Sequence, residues 1–152
     1  NVPKMSFGNM PLDGGHLLLS DGEKNDFIIK EPKAEKYILP LISAYEFLNG
    51  KKRWCLWLVD AEPNELKQMP VVLKCVEAVK KFRLDSLRKQ TIEKANQPTL
   101  FGEIRDFGET FIVVPRVSSE NRPYIPFGFF DKFLIHFLAS ISPRAYIDLF
   151  FN

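Results

Sequence analysis

Apolar and polar residues change period several times along this chain, and each change marks a different expected element. Across residues 70–95, Val72, Cys75, Val76, Val79, Phe82 and Leu87 recur at helical spacing, with basic residues mostly between them. That pattern predicts an amphipathic helix, opened at Pro70 and ended by Pro98. Residues 53–60 alternate and are rich in Trp and Leu, as in a largely buried strand. Residues 8–15 read as a loop, because Asn9, Pro11, Asp13 and the paired Gly14 and Gly15 punctuate the backbone, and residues 16–20 follow as a short strand. Ser20 or Asp21 is placed to cap a short helix that stops near Pro32. A second helical stretch is expected over residues 34–48, interrupted at Pro40 and closed by Asn49 and Gly50.

Strand signals dominate the last third. Residues 100–105 and 110–117 read as a hairpin turning through Asp106, Phe107, Gly108 and Glu109, and residues 124–130 as a third strand. Helices grouped before a cluster of strands predict an α+β domain, with helices packed on a mixed, mostly antiparallel sheet. Residues 1–131 form the expected domain, and residues 132–152 stand apart as an atypical apolar tail. Seven of the fourteen phenylalanines lie between Phe127 and Phe151. Such a tail either packs back onto the strands or pairs with a second copy, and an open sheet edge favours the homodimer.

Length and charge set only loose bounds. A chain of 152 residues with 45% hydrophobic content buries one sizeable core. A net charge of +2 is too mild to demand a nucleic-acid partner. Its distribution says more: residues 74–94 carry seven cations (Lys74, Lys80, Lys81, Arg83, Arg88, Lys89, Lys94) against three acids, so one helix face is expected to be positive. Cys55 and Cys75 sit in apolar periodic stretches and read as buried reduced thiols. No run approaches the roughly 18 apolar residues that span a bilayer, and no apolar leader opens the chain, so no membrane partner and a cytoplasmic compartment are expected.

The strongest candidate site lies in residues 111–130. Two β-branched and aromatic runs there enclose Arg116, Ser118, Ser119, Asn121 and Arg122, the residue types that grip phosphates and base edges. A plain polar hairpin is the alternative. Arg83 and Arg88 come next, on the basic helix, followed by Lys51, Lys52 and Arg53, which either cap a helix C-terminus or hold phosphate. Asp13, Gly14, Gly15 and His16 read first as a tight turn with positive-φ glycines, and second as a point of close approach to DNA or a neighbouring domain. Trp54 and Trp57 are better explained by packing than by base stacking. His16 and His136 are solitary. Catalytic signatures are missing: no glycine-rich cofactor loop occurs, Asn121-Arg122-Pro123-Tyr124 carries Arg where a base-holding motif has Pro, and no carboxylate cluster with a lysine suggests a nuclease.

Residues 8–17 (GNMPLDGGHL), 49–60 (NGKKRWCLWLVD), Phe82-Arg83 and 111–130 (FIVVPRVSSENRPYIPFGFF) together resemble the target-recognition region of the MmeI-like DNA methyltransferases. These are type II restriction-modification enzymes in which one polypeptide recognises, methylates adenine at N6 and cuts DNA. The resemblance runs over about residues 6–131 and implies a non-catalytic piece of such an enzyme, positioning double-stranded DNA for methyltransferase and nuclease domains elsewhere. It implies no cofactor in this chain, with S-adenosylmethionine and a divalent metal held by the parent enzyme. The family's later strands, associated with base reading, have no counterpart in residues 132–152, which a truncated or frameshifted gene would explain. The alternative is a non-catalytic protein–protein interaction module, its basic helix docked on an acidic partner.

Overall fold

The computed structural model describes residues 7–106, 109–115, 123–124, 126–131, 135–136 and 139–141. Strand β1 (Leu18–Ser20) leads directly into helix α1 (Asp21–Lys30), because Ser20 caps the helix and Glu23 reaches back to the Ser20 backbone N–H at 2.8 Å. A 3-10 turn (Pro32–Tyr37) then opens into β2 (Ile38–Ile42), and α2 (Ala44–Asn49) follows. The expected helix over residues 34–48 is thus divided, with a strand in its middle. Pro40 explains the change: in a helix interior it would remove a hydrogen bond and clash with the preceding turn. In β2 it stands opposite Trp54 of β3 (Arg53–Leu56), while the other neighbour, β6 (Ile135–His136), pairs only with Leu41 and Ile42.

The first sheet has the order β1-β3-β2-β6, antiparallel except for the β2/β6 pair. A second sheet, β5 (Gly128–Asp131), β4 (Thr110–Val114) and β7 (Ala139–Ile141), is antiparallel throughout. The α+β class is borne out, distributed over two small sheets. Residues 100–105 do not form the expected strand; Met10 and Glu103 make an isolated antiparallel bridge instead. Of the expected turn, Phe107 and Gly108 lie outside the described residues.

The main core sits between the first sheet and α4 (Pro70–Leu84), which is preceded by the short α3 (Pro63–Leu66). Met69, Val72, Val76 and Val79 face Leu17, Leu41, Leu56 and Leu58, all buried. Glu31, itself buried, accepts from the Val71 N–H at 3.0 Å and so caps α4 from a distant point of the chain. The single helix expected over residues 70–95 breaks after Leu84; α5 (Lys89–Glu93) and a 3-10 turn (Lys94–Asn96) complete it. Phe82 and Leu87, expected in the core, are 43% and 103% exposed.

Helix α2 links the sheets, since Ala44 and Phe47 pack on Phe111, Val113 and Phe130, with the Phe47 and Phe130 rings edge-to-face at 5.9 Å. Two segments of the apolar tail join the sheets as β6 and β7, and Ile135 is buried. These segments are end strands, so among the described residues the first sheet ends in β1 and β6 and the second in β5 and β7. Cys55 and Cys75 are free thiols, and burial pushes both pKa values up, for Cys55 with the Asp13 charge adding to it.

Candidate nucleic-acid interface

The cations singled out in the sequence fall into different environments. Arg83 is the clearest departure from expectation. The buried stripe of α4 runs through positions 72, 76 and 79 to 83, so Arg83 points into the protein and is 0% exposed. Its Nε donates to the Leu12 carbonyl at 2.8 Å, Nη1 to Lys94 and Gln97 at 2.9 Å each, and Nη2 to Pro11 at 3.0 Å and Leu100 at 2.7 Å. Every guanidinium N–H thus has a carbonyl partner. Burial lowers the Arg83 pKa from the ordinary arginine value, and the Asp13 carboxylate opposes that shift. Arg83 therefore ties three segments together from inside and has no surface to offer a phosphate.

The loop it holds is rigid for further reasons. Gly14 and Gly15 have φ of 64° and 88°, and the buried Asp13 carboxylate accepts from Gly15 N at 3.1 Å and Leu17 N at 2.7 Å. The tight-turn reading of this motif is borne out, with His16 exposed at its edge. Phe82 lies over Gly14, where a Cβ would meet its ring at 2.8 Å. Across the loop, Asn9 Oδ1 accepts from Arg105 N at 2.8 Å.

Lys51 and Lys52 are exposed just beyond α2, whose C-terminus closes at Gly50 in the left-handed conformation with φ 61°. Arg53 is half-buried and pairs with the buried Glu46 at 3.5 Å, so its charge is partly committed. Trp54 donates to Asp21 Oδ1 at 2.9 Å, with the Lys24 ammonium 3.5 Å from the ring centroid, while Trp57 packs edge-to-face on Phe101 at 5.0 Å. Both tryptophans are engaged within the fold, as expected. Arg88 is exposed at the start of α5, its backbone N–H bound to Ser86 Oγ at 3.2 Å.

Arg116, Ser118, Ser119, Asn121 and Arg122 lie outside the described residues, as does the side chain of His136. The strands before and after them in the chain, β4 and β5, pair antiparallel with Val113 opposite Gly128. Elsewhere, a cleft of about 330 Å³ is lined by Lys33, Lys36, Glu65, Gln68 and Met69. Its cations are partnered, Lys36 with Glu65 at 2.7 Å and Lys33 with Gln68 at 2.7 Å. Among the described residues no group of three or more His, Cys, Asp or Glu is arranged to hold a metal, and no helix is long and apolar enough to cross a membrane.

Residues 1–142 match the family described as MmeI, target recognition domain. The chain belongs to that family. It is 41% identical over 128 residues to DNA methyltransferase A of Bacillus subtilis (strain 168), a match covering 84% of this chain and 15% of the relative. Among solved structures it is similar to the type IIL restriction-modification enzyme MmeI in complex with DNA, with 40% identity and a TM-score of 0.91 over 94% of this chain and 19% of that one. The chain therefore spans less than a fifth of either relative. The family match extends past Asp131 through the tail segments that form β6 and β7.

Proposed function

We propose that this chain is the DNA-gripping recognition domain of a longer restriction-modification methyltransferase and performs no chemistry itself. The observation that carries this reading is the 0.91 TM-score at 40% identity to an MmeI chain solved with DNA. Exposed cations without a side-chain partner among the described residues, at Lys51, Lys52 and Arg88, supply the phosphate contacts. Arg53 adds a weaker one, because Glu46 holds part of its charge. The segment with Arg116, Ser118, Ser119, Asn121 and Arg122 is the proposed base-proximal grip, and the β4/β5 pairing supports it by anchoring both ends on one sheet.

S-adenosylmethionine and a divalent metal belong, in this proposal, to methyltransferase and nuclease domains outside these residues. A cytoplasmic setting is part of the same reading.

Fluorescence anisotropy of a labelled duplex, titrated with the full chain between about 50 and 200 mM salt, tests the proposal. Binding should be weak, with Kd about 10⁻⁴ to 10⁻⁶ M at physiological salt, and log K should fall linearly with log salt. Lys51→Ala, Lys52→Ala, Arg116→Ala and Arg122→Ala should each lower the slope by about 0.9. Absence of salt-dependent binding to any duplex overturns it.

A further inference from the structure

The corner between α4 and α5 exposes apolar side chains that no packing argument explains. Leu87 is 103% exposed, Leu84 52% and Ile92 38%. The corner is nevertheless held in place. Asp85 N–H bonds to the Lys81 carbonyl at 3.0 Å, Ser86 N–H to that of Arg83 at 3.3 Å, and Arg88 N–H to Ser86 Oγ at 3.2 Å. Arg83 clamps it from beneath through the carbonyls of Lys94, Gln97 and Leu100. Leu87 is thus presented on a fixed backbone, with its side chain wholly in water.

Cations are interleaved with these apolar residues. Lys80 and Lys81 stand four and three positions before Leu84 in α4, and Lys89 stands three before Ile92 in α5, so these cations lie on the side of the helix that carries the apolar residue, while Arg88 precedes α5 directly after Leu87. All four cations are exposed, against Asp85 and Glu93 as the acids of the corner. We propose that this corner is a wedge for duplex DNA, with Leu87 entering a groove against the edge of a base step while Arg88, Lys89, Lys80 and Lys81 hold the flanking phosphates. The inference rests on the recognition-domain reading and assigns it a further contact region.

Magnitude and composition favour DNA over a protein partner. A stable protein interface buries about 800 Å² on each side, and its centre is depleted of charge. Here the apolar area comes from Leu84, Leu87 and Ile92, with Phe82 43% exposed on the preceding turn, and exposed cations stand three or four positions from Leu84 and Ile92 and directly after Leu87. An apolar tip flanked by Arg and Lys is the composition that wedges between base steps, where partial unstacking is offset by the phosphate contacts it allows. Such a wedge favours pyrimidine–purine steps, which unstack easily, over stiff A-tracts.

The test uses the full chain and two duplexes of equal length and base composition, one rich in TpA steps and one built of A-tracts. Anisotropy reads affinity, and energy transfer between dyes on the duplex ends reads bending. The parent chain should bind the TpA duplex several-fold more tightly and shorten its end-to-end distance. Leu87→Ala should abolish both effects with unchanged salt slope and unchanged Tm, because the side chain buries nothing. Arg88→Ala and Lys89→Ala should each lower the slope by about 0.9 while keeping the TpA preference. If Leu87→Ala matches the parent on both duplexes while salt-dependent binding persists, the wedge is wrong and the corner is left for a protein surface. If the parent binds neither duplex, the recognition-domain reading falls with it.

Discussion

Replacing Arg83 should destabilise the domain rather than weaken a DNA contact. Arg83→Ala takes a donor from the carbonyls of Pro11, Leu12, Lys94, Gln97 and Leu100 in a site that is 0% exposed. Pro11, Lys94 and Gln97 keep backbone donors, from Gly102, Gln97 and Leu100, so the loss falls on Leu12 and Leu100. A buried acceptor that loses its partner costs about 1–3 kcal/mol, so two cost about 2–6 kcal/mol, a large share of the stability of most domains. Water entering the vacated space restores part of it, so about 4 kcal/mol is the working figure, in the range found when a buried charged partner is removed. For a domain of this size that lowers Tm by about 8–16 °C.

Arg83→Lys separates charge from geometry. It keeps the positive charge but offers three donors where five are used, so at least two carbonyls lose their side-chain donor and an intermediate loss of about 2 kcal/mol is expected. Thermal and urea unfolding followed by tryptophan fluorescence reads both variants. A surface role would give the opposite pattern: Tm of Arg83→Ala within 2 °C of the parent, as surface substitutions usually behave, and a salt slope for DNA lowered by about one phosphate contact. That result would falsify the internal-clamp assignment.

Glu31→Ala should cost about 1–2 kcal/mol by uncapping α4 at Val71, read as a fall in the urea midpoint with unchanged m; an unchanged midpoint would remove Glu31 from the capping role. The pKa of Glu23 is lowered by hydrogen bonds from Ser20, and that of Glu65 by hydrogen bonds first from Lys36 and then Tyr37. Both carboxylates therefore add stability that is present above their ordinary value of 4.5 and is lost as pH falls through their lowered folded values. Glu23→Gln with Glu65→Gln should flatten the acid limb of the stability curve, and an identical limb in the double variant counts against both pairings. Truncation after Asp131 removes β6 and β7, so sedimentation should show a monomeric full chain and a self-associating shorter one. A monomeric truncated chain with the parent Tm would refute the tail as an internal cover.

Local signals carried much of the fold. Ser20 or Asp21 announced the start of α1, Asn49 and Gly50 the end of α2 and Pro70 the start of α4, because each acts through bonds or dihedrals within a few residues. What escaped depends on distant partners. Ile38–Ile42 is a short apolar run whose strand character comes from its ladder to Arg53–Leu56. Residues 100–105 have strand composition, yet Arg83 takes the Leu100 carbonyl and Gly102 presses on Leu12, where an added Cβ would lie 2.6 Å from the Leu12 Cβ. That close approach leaves room for a single bridge and no ladder.

The site was legible in kind and less so in position, and α4 shows why. Counting cations along residues 74–94 treats each as surface charge, whereas helical phase sorts them. Positions 72, 76, 79 and 83 lie on one stripe, so a stricter reading of the period would have put Arg83 inside and Phe82 at its border. A buried arginine is tolerated only when its donors are matched, and the matching carbonyls come from residues 11–12 and 94–100, which no local pattern ties to position 83. Because that clamp is internal, DNA-binding changes in Arg83 variants should accompany loss of fold rather than precede it.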